Sequence, residues 1–373
     1  MTRCNVLHIV DSLEFGGAEK VVVDLANQMS TESSVGVCCV RKYGELASQL
    51  QNTVQRYCLN KGDGNEYSLW LRLRSMFKQH DVRVVHLHNW GNYLDVAIAC
   101  LTLPHITLVA TIHGPYGEYP PGIFSSLKRR LRHLLEITLS TRFDRIYAVA
   151  HSIASELTRR HLPRQKIAVI HNGISICSPT NPASFNDSLP GANHKPLLIT
   201  VARLAPIKNQ RMLLEAFRAI ADEIADARLW IIGDGPDRQE LEKFAQELAI
   251  TDKVWFAGFR ADATDLLAHC HGFLLTSHHE GISISLLEAM RAGLPCFATA
   301  VGGIPETIID NDTGYLIPAN DPAILATKVI SAWKQPEHLT AMGQRAQTRQ
   351  KAAFSIESMH EKYLVAYGLS TQA

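Results

Sequence analysis

Glu280 and Glu288 bracket the apolar part of "EGISISLLEAMRAGLP" (280–295), one acid just before a helix-like run and the other within its first turns. Ser285 and Glu288 fit the S-x-x-E capping box, in which a serine and a glutamate satisfy helix-end N–H groups reciprocally. That reading leaves Glu280 without a role. In "VARLAPIKNQ" (201–210), Arg203 and Lys208 occupy a strand-to-helix loop. An arginine fork and a lysine point charge five positions apart can clamp the two phosphates of a diphosphate. A solvated loop end is the competing reading for such a pair. In "DSLEFGGAEKVVVDLANQ" (11–28), Gly16 and Gly17 stand between a strand and an apolar helix, where bare backbone N–H groups and the helix dipole favour an anion. The same glycines also suit an ordinary tight turn.

Other stretches carry weaker chemistry. "IIGDGPDRQEL" (231–241) imitates a dinucleotide fingerprint, but Arg238 stands where the third glycine belongs, so a tight turn into a helix is expected. "DND" (310–312) resembles a metal grip, yet "IIDNDTGYLIP" reads first as a polar turn between two strands. His86, His88, His113 and His171 all sit at strand ends, with no zinc-site spacing among them. His113 stands out because Gly114 and Pro115 follow it, turning the chain where a ligand can meet the ring.

The elements that must hold these residues are legible as two series. "NVLHIV", "SVGVCCV", "VRVVHLH", "ITLVATIH", "RIYAVA" and "KIAVIHN" read as strands of a first half; "LLITVAR", "RLWIIG", "VWFAG", "GFLLTS" and "CFATA" read as a second. Short apolar, β-branched runs alternating with amphipathic segments are the pattern of βα units on parallel sheets. The 373 residues suggest two domains at roughly 150 residues each. The expected division is 1–172, a linker over 173–195 rich in Ser, Pro, Asn and Gly, 196–353, and a C-terminal helix over 354–373. Two doubly wound halves imply ligand binding beyond the carboxyl ends of the strands, in a cleft.

Composition excludes several classes. With 37 Lys+Arg against 36 Asp+Glu there is no global electrostatic footprint for nucleic acid. The eight cysteines, among them Cys177, are scattered and read as small core residues in a reducing compartment. No run approaches the ~18 apolar residues of a membrane span, so a soluble or peripheral, cytoplasmic protein is expected. The segment 124–143 sets Lys128, Arg129, Arg130, Arg132 and His133 amid a helical leucine pattern, which suits either anionic lipid headgroups or a packed helix with a basic outer face.

Taken in order, "VARLAPIKN", "IIGDGP", "VWFAGF", the E-x7-E pair Glu280 and Glu288, and "ATAVGGIPETI" resemble the retaining glycosyltransferases of family four. The resemblance covers nearly the whole chain and implies a GT-B fold, in which two Rossmann-like domains face each other across a cleft holding a nucleotide-sugar donor. It implies that Glu280 binds a donor-sugar hydroxyl and Glu288 the ribose. Arg203 and Lys208 would neutralise the diphosphate, Gly16 and Gly17 would let it approach, and His113 would meet the sugar. Backbone groups of Ile284 and Ser285 would add phosphate donors, and the chain near Phe259 and Arg260 would face the base. Ile282 departs from the aromatic or large apolar residue that many relatives place after the glycine, a difference that bears on the donor sugar. The resemblance further implies transfer of a hexose, UDP-linked by default, to a glycan or lipid-linked acceptor in polysaccharide biosynthesis, with no metal or other cofactor. A nucleotide-sugar epimerase of the same fold and a silent nucleotide-sugar binder share most of these features.

Overall fold

A computed structural model describes residues 4–64, 66–114, 123–175 and 189–369, with the side chains of 123–129 left out. The chain forms two compact units: Met1–Ser175 with Ile356–Ala373, and Ile176–Ser355. Residues 176–188, the middle of the expected linker and the place of Cys177, lie outside the described residues, as does Pro115.

In the first unit, seven parallel strands run β1 (Val6–Ser12), β2 (Val35–Lys42), β3 (Gln55–Cys58), β4 (Val84–His88), β5 (Thr107–Ile112), β6 (Arg145–Ala148) and β7 (Ile167–Val169). Their order in the sheet is β3-β2-β1-β4-β5-β6-β7, so the winding reverses between β1 and β4. The intervening helices are α1 (Gly17–Met29), α2 (Leu69–Gln79), α3 (Tyr93–Cys100), α4 (Ile123–Ser140) and α5 (His151–Arg159). Helix α1 shows why the segment folds: Val21, Val22, Leu25, Ala26 and Met29 recur at helical spacing and are buried. Strand β3 was not expected from the sequence. Its polar "QRYC" sits at the sheet edge, where one face and one ladder remain open.

The second unit repeats the plan. Its elements are β8 (Leu197–Val201), α6 (Gln210–Glu223), β9 (Arg228–Ile232), α7 (Arg238–Glu247), β10 (Val254–Gly258), α8 (Ala263–Leu267), β11 (Gly272–Leu275), α9 (Ile284–Arg291), β12 (Cys296–Thr299), α10 (Ile304–Thr307), β13 (Tyr315–Ile317), α11 (Pro322–Trp333) and α12 (Pro336–Ala353). The six parallel strands order as β10-β9-β8-β11-β12-β13, with the reversal between β8 and β11. Leu213, Phe217 and Ile220 of α6 pack with Leu229, Ile231 and Leu274 of the strands in a contiguous core. The DND segment joins α10 to β13 rather than two strands, because Ile304–Thr307, with Pro305 near its start, forms a short helical turn.

Helix α13 (Ile356–Ala366) belongs to the first unit, although it follows the second in sequence. The Ile356 N–H donates to the Ile174 carbonyl at 3.0 Å, and the Gly173 N–H to Met359 Sδ at 3.3 Å. Gly173 and Ile174, read as the start of the linker, are therefore held in that unit. The sheet face near α13 is polar where a parallel sheet is usually apolar: His8, His86, His88 and Thr111 are all buried.

Candidate functional site

In the second unit the loops after β8 and β11, on either side of the winding reversal, bring Lys208 and Glu280 together. Lys208 Nζ lies 2.5 Å from Glu280 Oε1, and the same oxygen accepts from Ser277 Oγ at 2.7 Å. Glu280 is 8% exposed, so its charge is stabilised by these donors rather than by bulk water. Each loop is fixed by local chemistry. Asn209 adopts a left-handed φ of 48° and caps α6, its side chain accepting from the Met212 N–H at 3.4 Å. Thr276 Oγ1 donates to the carbonyls of Lys208 and Asn209, at 3.2 and 2.9 Å, tying the lysine loop to the end of β11. Behind Glu280, Gly302 approaches so closely that a Cβ would stand 1.8 Å from the Glu280 carbonyl oxygen, and its φ is +56°.

The remaining expected residues of the second unit have different fates. Arg203 is exposed on the same loop as Lys208, and its carbonyl accepts from Gln210 Nε2 at 2.8 Å. Helix α9 begins at Ile284, with Ser285 second and Glu288 in its middle, half-buried. The capping-box expectation is overturned: Ser283 is the N-cap, with extended backbone and no side-chain capping bond, and Ser285 instead lies 3.2 Å from the Ser283 hydroxyl. Glu288 is thereby not needed as a capping partner. Ile282, the departure noted above, is buried. Phe259 is 49% exposed after β10, whereas Arg260 is engaged by Asp262 through two bonds of 2.8 and 2.5 Å.

In the first unit, Gly16 is the N-cap of α1 and Gly17 its first residue. The Glu19 carboxylate folds against this turn: its Oε2 would be 2.1 Å from a Gly16 Cβ, so the unit fills the helix N-terminus with its own acid. His113 ends a chain of imidazoles. His8 Nδ1 and His88 Nε2 are 3.1 Å apart, as are His88 Nδ1 and His113 Nε2. His86 bonds Thr111 Oγ1 at 2.7 Å and the Tyr367 hydroxyl at 2.5 Å, while Tyr363 bonds Thr111 at 2.7 Å. Burial drives every one of these rings toward neutrality, lowering His8 to about 3 and His113 to about 4, with His86 and His88 also well below the usual range. Nitrogens of His8, His86 and His88 lie within 4.8 Å of one another, the dimensions of a metal site. Sequence spacing did not reveal this trio, because register between β1 and β4 pairs His8 with His86. Hydrogen bonds already engage most of their nitrogens, and His171 packs edge-on against His151 instead of joining them.

Ser277, Thr276 and Gly302 are the residues that sequence reasoning missed. Ser277 had a usable signal, standing three positions before Glu280 in "TSHHEG".

Comparison with known proteins resolves the class. A sequence model of group 1 glycosyl transferases matches residues 184–349, and one of glycosyltransferase family 4 matches residues 15–176. The chain belongs to the group 1 glycosyltransferases. This glycosyltransferase is 28% identical, over 84% of its length and 82% of the relative's, to an N-acetyl-α-D-glucosaminyl L-malate synthase of Bacillus anthracis. It is 24% identical to an Escherichia coli UDP-Gal:α-D-GlcNAc-diphosphoundecaprenol α-1,3-galactosyltransferase, across 86% and 85% of the two chains. Among solved structures, Anabaena HepE in complex with UDP superposes with a TM-score of 0.82 at 20% identity, covering 98% of this chain and 99% of that one. HepE has also been solved with UDP-glucose. The shared architecture is the GT-B fold.

Proposed function

We propose that this glycosyltransferase moves a hexose from a nucleotide diphosphate sugar, UDP-linked, to a glycan or lipid-linked acceptor in surface polysaccharide biosynthesis, with retention at the anomeric carbon. The observation that carries the reading is the Lys208–Glu280–Ser277 constellation at the winding reversal of the second unit, with Arg203 on the same loop. A diphosphate there meets Lys208, Arg203 and the uncapped backbone of Ile284 and Ser285, while Glu280 accepts from a sugar hydroxyl and Glu288 from the ribose. The chain near Phe259 and Arg260 faces the base. UDP complexes of HepE and the UDP-Gal specificity in the Escherichia coli relative's name support the choice of nucleotide.

The mechanism follows from where charge develops. Breaking the bond between sugar and diphosphate builds positive character on the sugar and negative charge on the leaving group. Preorganised cations and helix-end N–H groups stabilise the latter without reorganisation, which is the largest source of catalysis in such sites. Because Arg203 and Lys208 supply fixed positive charge, no metal is required. Same-face attack, with the leaving phosphate accepting the acceptor's proton, gives retention without a dedicated base.

The first unit takes the acceptor. Leu131, Leu134 and Leu135 of α4 are 58, 59 and 42% exposed beside Arg130, which supports peripheral seating on an anionic cytoplasmic membrane face. Among the described residues no helix is long and apolar enough to cross a membrane.

The test is a thermal-shift panel of UDP-, GDP- and ADP-sugars without metal, on the wild type and Arg203→Ala. A rise in melting temperature with a UDP-sugar, lost in the variant, is expected. A shift that survives the substitution, or none with any donor, refutes the assignment. A free altered sugar formed without acceptor would instead establish an epimerase.

A further inference from the structure

The two sheets reverse their winding at equivalent places. At the β8/β11 reversal the second unit offers cations. At the β1/β4 reversal the first unit opens a cavity of about 780 Å³, walled by α1, α2, α3 and α4 and floored by the ends of β1 and β4. Its volume lies within the range of small-molecule sites, roughly 300–1,000 Å³.

Three cations line this cavity, and each is already engaged. Arg41 bridges Asp11 and Asp63 at 3.2 and 3.3 Å, Lys61 donates to the Gly64 carbonyl at 2.6 Å, and Arg132 is held by Glu136 at 2.8 Å. Two of its four acids are engaged as well, Asp11 by Arg41 and Glu66 by Arg72. Glu19 and Asp95 are held by backbone N–H groups at the starts of α1 and α3, and Asp95 also faces Lys61 and Arg132. Among the described residues neither makes an ion pair or a hydrogen bond to another side chain, and burial raises the pKa of both. The half-buried indole of Trp70 and the polar residues His88, Asn89 and Asn92 line the same cavity.

Resting on the reading that the first unit takes the acceptor, we infer that this cavity binds an uncharged sugar residue of the acceptor, its apolar C–H face stacked on Trp70 and its hydroxyls donating to Glu19 and Asp95. An indole offers a broad, rigid apolar face, and ionised carboxylates form the stronger class of hydrogen bond with hydroxyl donors. Four acids against three cations leave the lining net negative, and Lys61 and Arg132 already face Asp95, so a carboxylate- or phosphate-bearing residue in the same place meets a net like charge that selects against it. The chemistry here therefore differs from a site for L-malate, the dicarboxylate in the name of the Bacillus anthracis relative.

The test uses the full chain and two independent readouts. Saturation-transfer NMR is recorded with p-nitrophenyl glycosides of glucose, galactose and N-acetylglucosamine, and with a glucuronide and L-malate. Transfer is followed as nucleoside diphosphate released from the donor that shifts the melting temperature. The neutral glycosides are expected to receive saturation and to accept sugar. Trp70→Ala should raise the acceptor KM about tenfold while leaving the donor KM unchanged, and Trp70→Phe should restore most of the affinity. Preference for the glucuronide or malate, or an acceptor KM unmoved in Trp70→Ala, overturns the inference. Donor binding without saturation of any neutral glycoside overturns it too and leaves the proposed function standing. Failure of every donor sinks the proposed function, and the NMR arm then still decides what the cavity binds.

Discussion

Acidification should open the first unit long before carboxylates protonate. His8, His86, His88 and His113 are kept neutral chiefly by burial, with folded pKa values of about 3 for His8 and about 4 for His113 against a usual 6.5. In the unfolded chain all four titrate near the usual value. The unfolded state therefore binds more protons below pH 6.5, so the stabilisation is complete well above that pH and is lost as pH falls toward the folded values. Between pH 7.5 and 5.5 each histidine costs about 1.4 kcal/mol, and the four together about 5 kcal/mol. That is comparable with the whole stability of many domains. Hydrogen exchange of the β1 and β4 amides, corrected for the intrinsic rate and converted to opening free energies, reads the loss directly. Strands of the second unit serve as the internal control. A loss below about 1.4 kcal/mol, what a single histidine would give, would refute the claim that the cluster stays uncharged.

Four substitutions probe other contacts. Glu136→Ala removes a fully buried carboxylate held by Arg132 at 2.8 Å and Arg160 at 3.2 Å, and should cost about 3 kcal/mol in urea denaturation, since the arginines are partly solvated. Gly302→Ala forces a Cβ against the Glu280 carbonyl in a left-handed conformation; a loss of about 1–3 kcal/mol and weaker donor-induced thermal shifts are expected. Lys208→Met strips Glu280 of its cation and should abolish the donor shift while lowering stability by about 2 kcal/mol. Tyr367→Phe leaves His86 Nδ1 without its partner, at a cost of about 1–3 kcal/mol seen as a lower melting temperature.

Much of this arrangement can be read from the sequence, for reasons that also explain what cannot. Interior strands of parallel sheets are apolar on both faces, so runs such as "LLITV" and "VVHLH" announce themselves. The edge strand β3 needs no such run and stays hidden. Loops after strands are local in sequence, and for that reason Arg203, Lys208 and Glu280 could be singled out as candidates. The contact between Lys208 and Glu280 is a product of strand order, invisible until β8 and β11 are neighbours. The histidine chain is hidden in the same way, since it depends on β1–β4 register and on Tyr367 returning from the far end of the sequence. The misread cap at Ser285 has a simpler cause: Gly281 and Ile282 form a buried loop that ends sooner than the S-x-x-E spacing implies, and α9 starts at Ile284.

The place of α13 in the chain has a consequence for biosynthesis. Thr111 and His86 find their hydroxyl partners on Tyr363 and Tyr367, which leave the ribosome after every residue of the second unit. The second unit is continuous in sequence and can close while the first still waits with a polar, half-built sheet face. Vectorial synthesis usually lets the N-terminal domain fold first. Here the first unit's last buried hydrogen bonds can form only after the whole second unit has been synthesised.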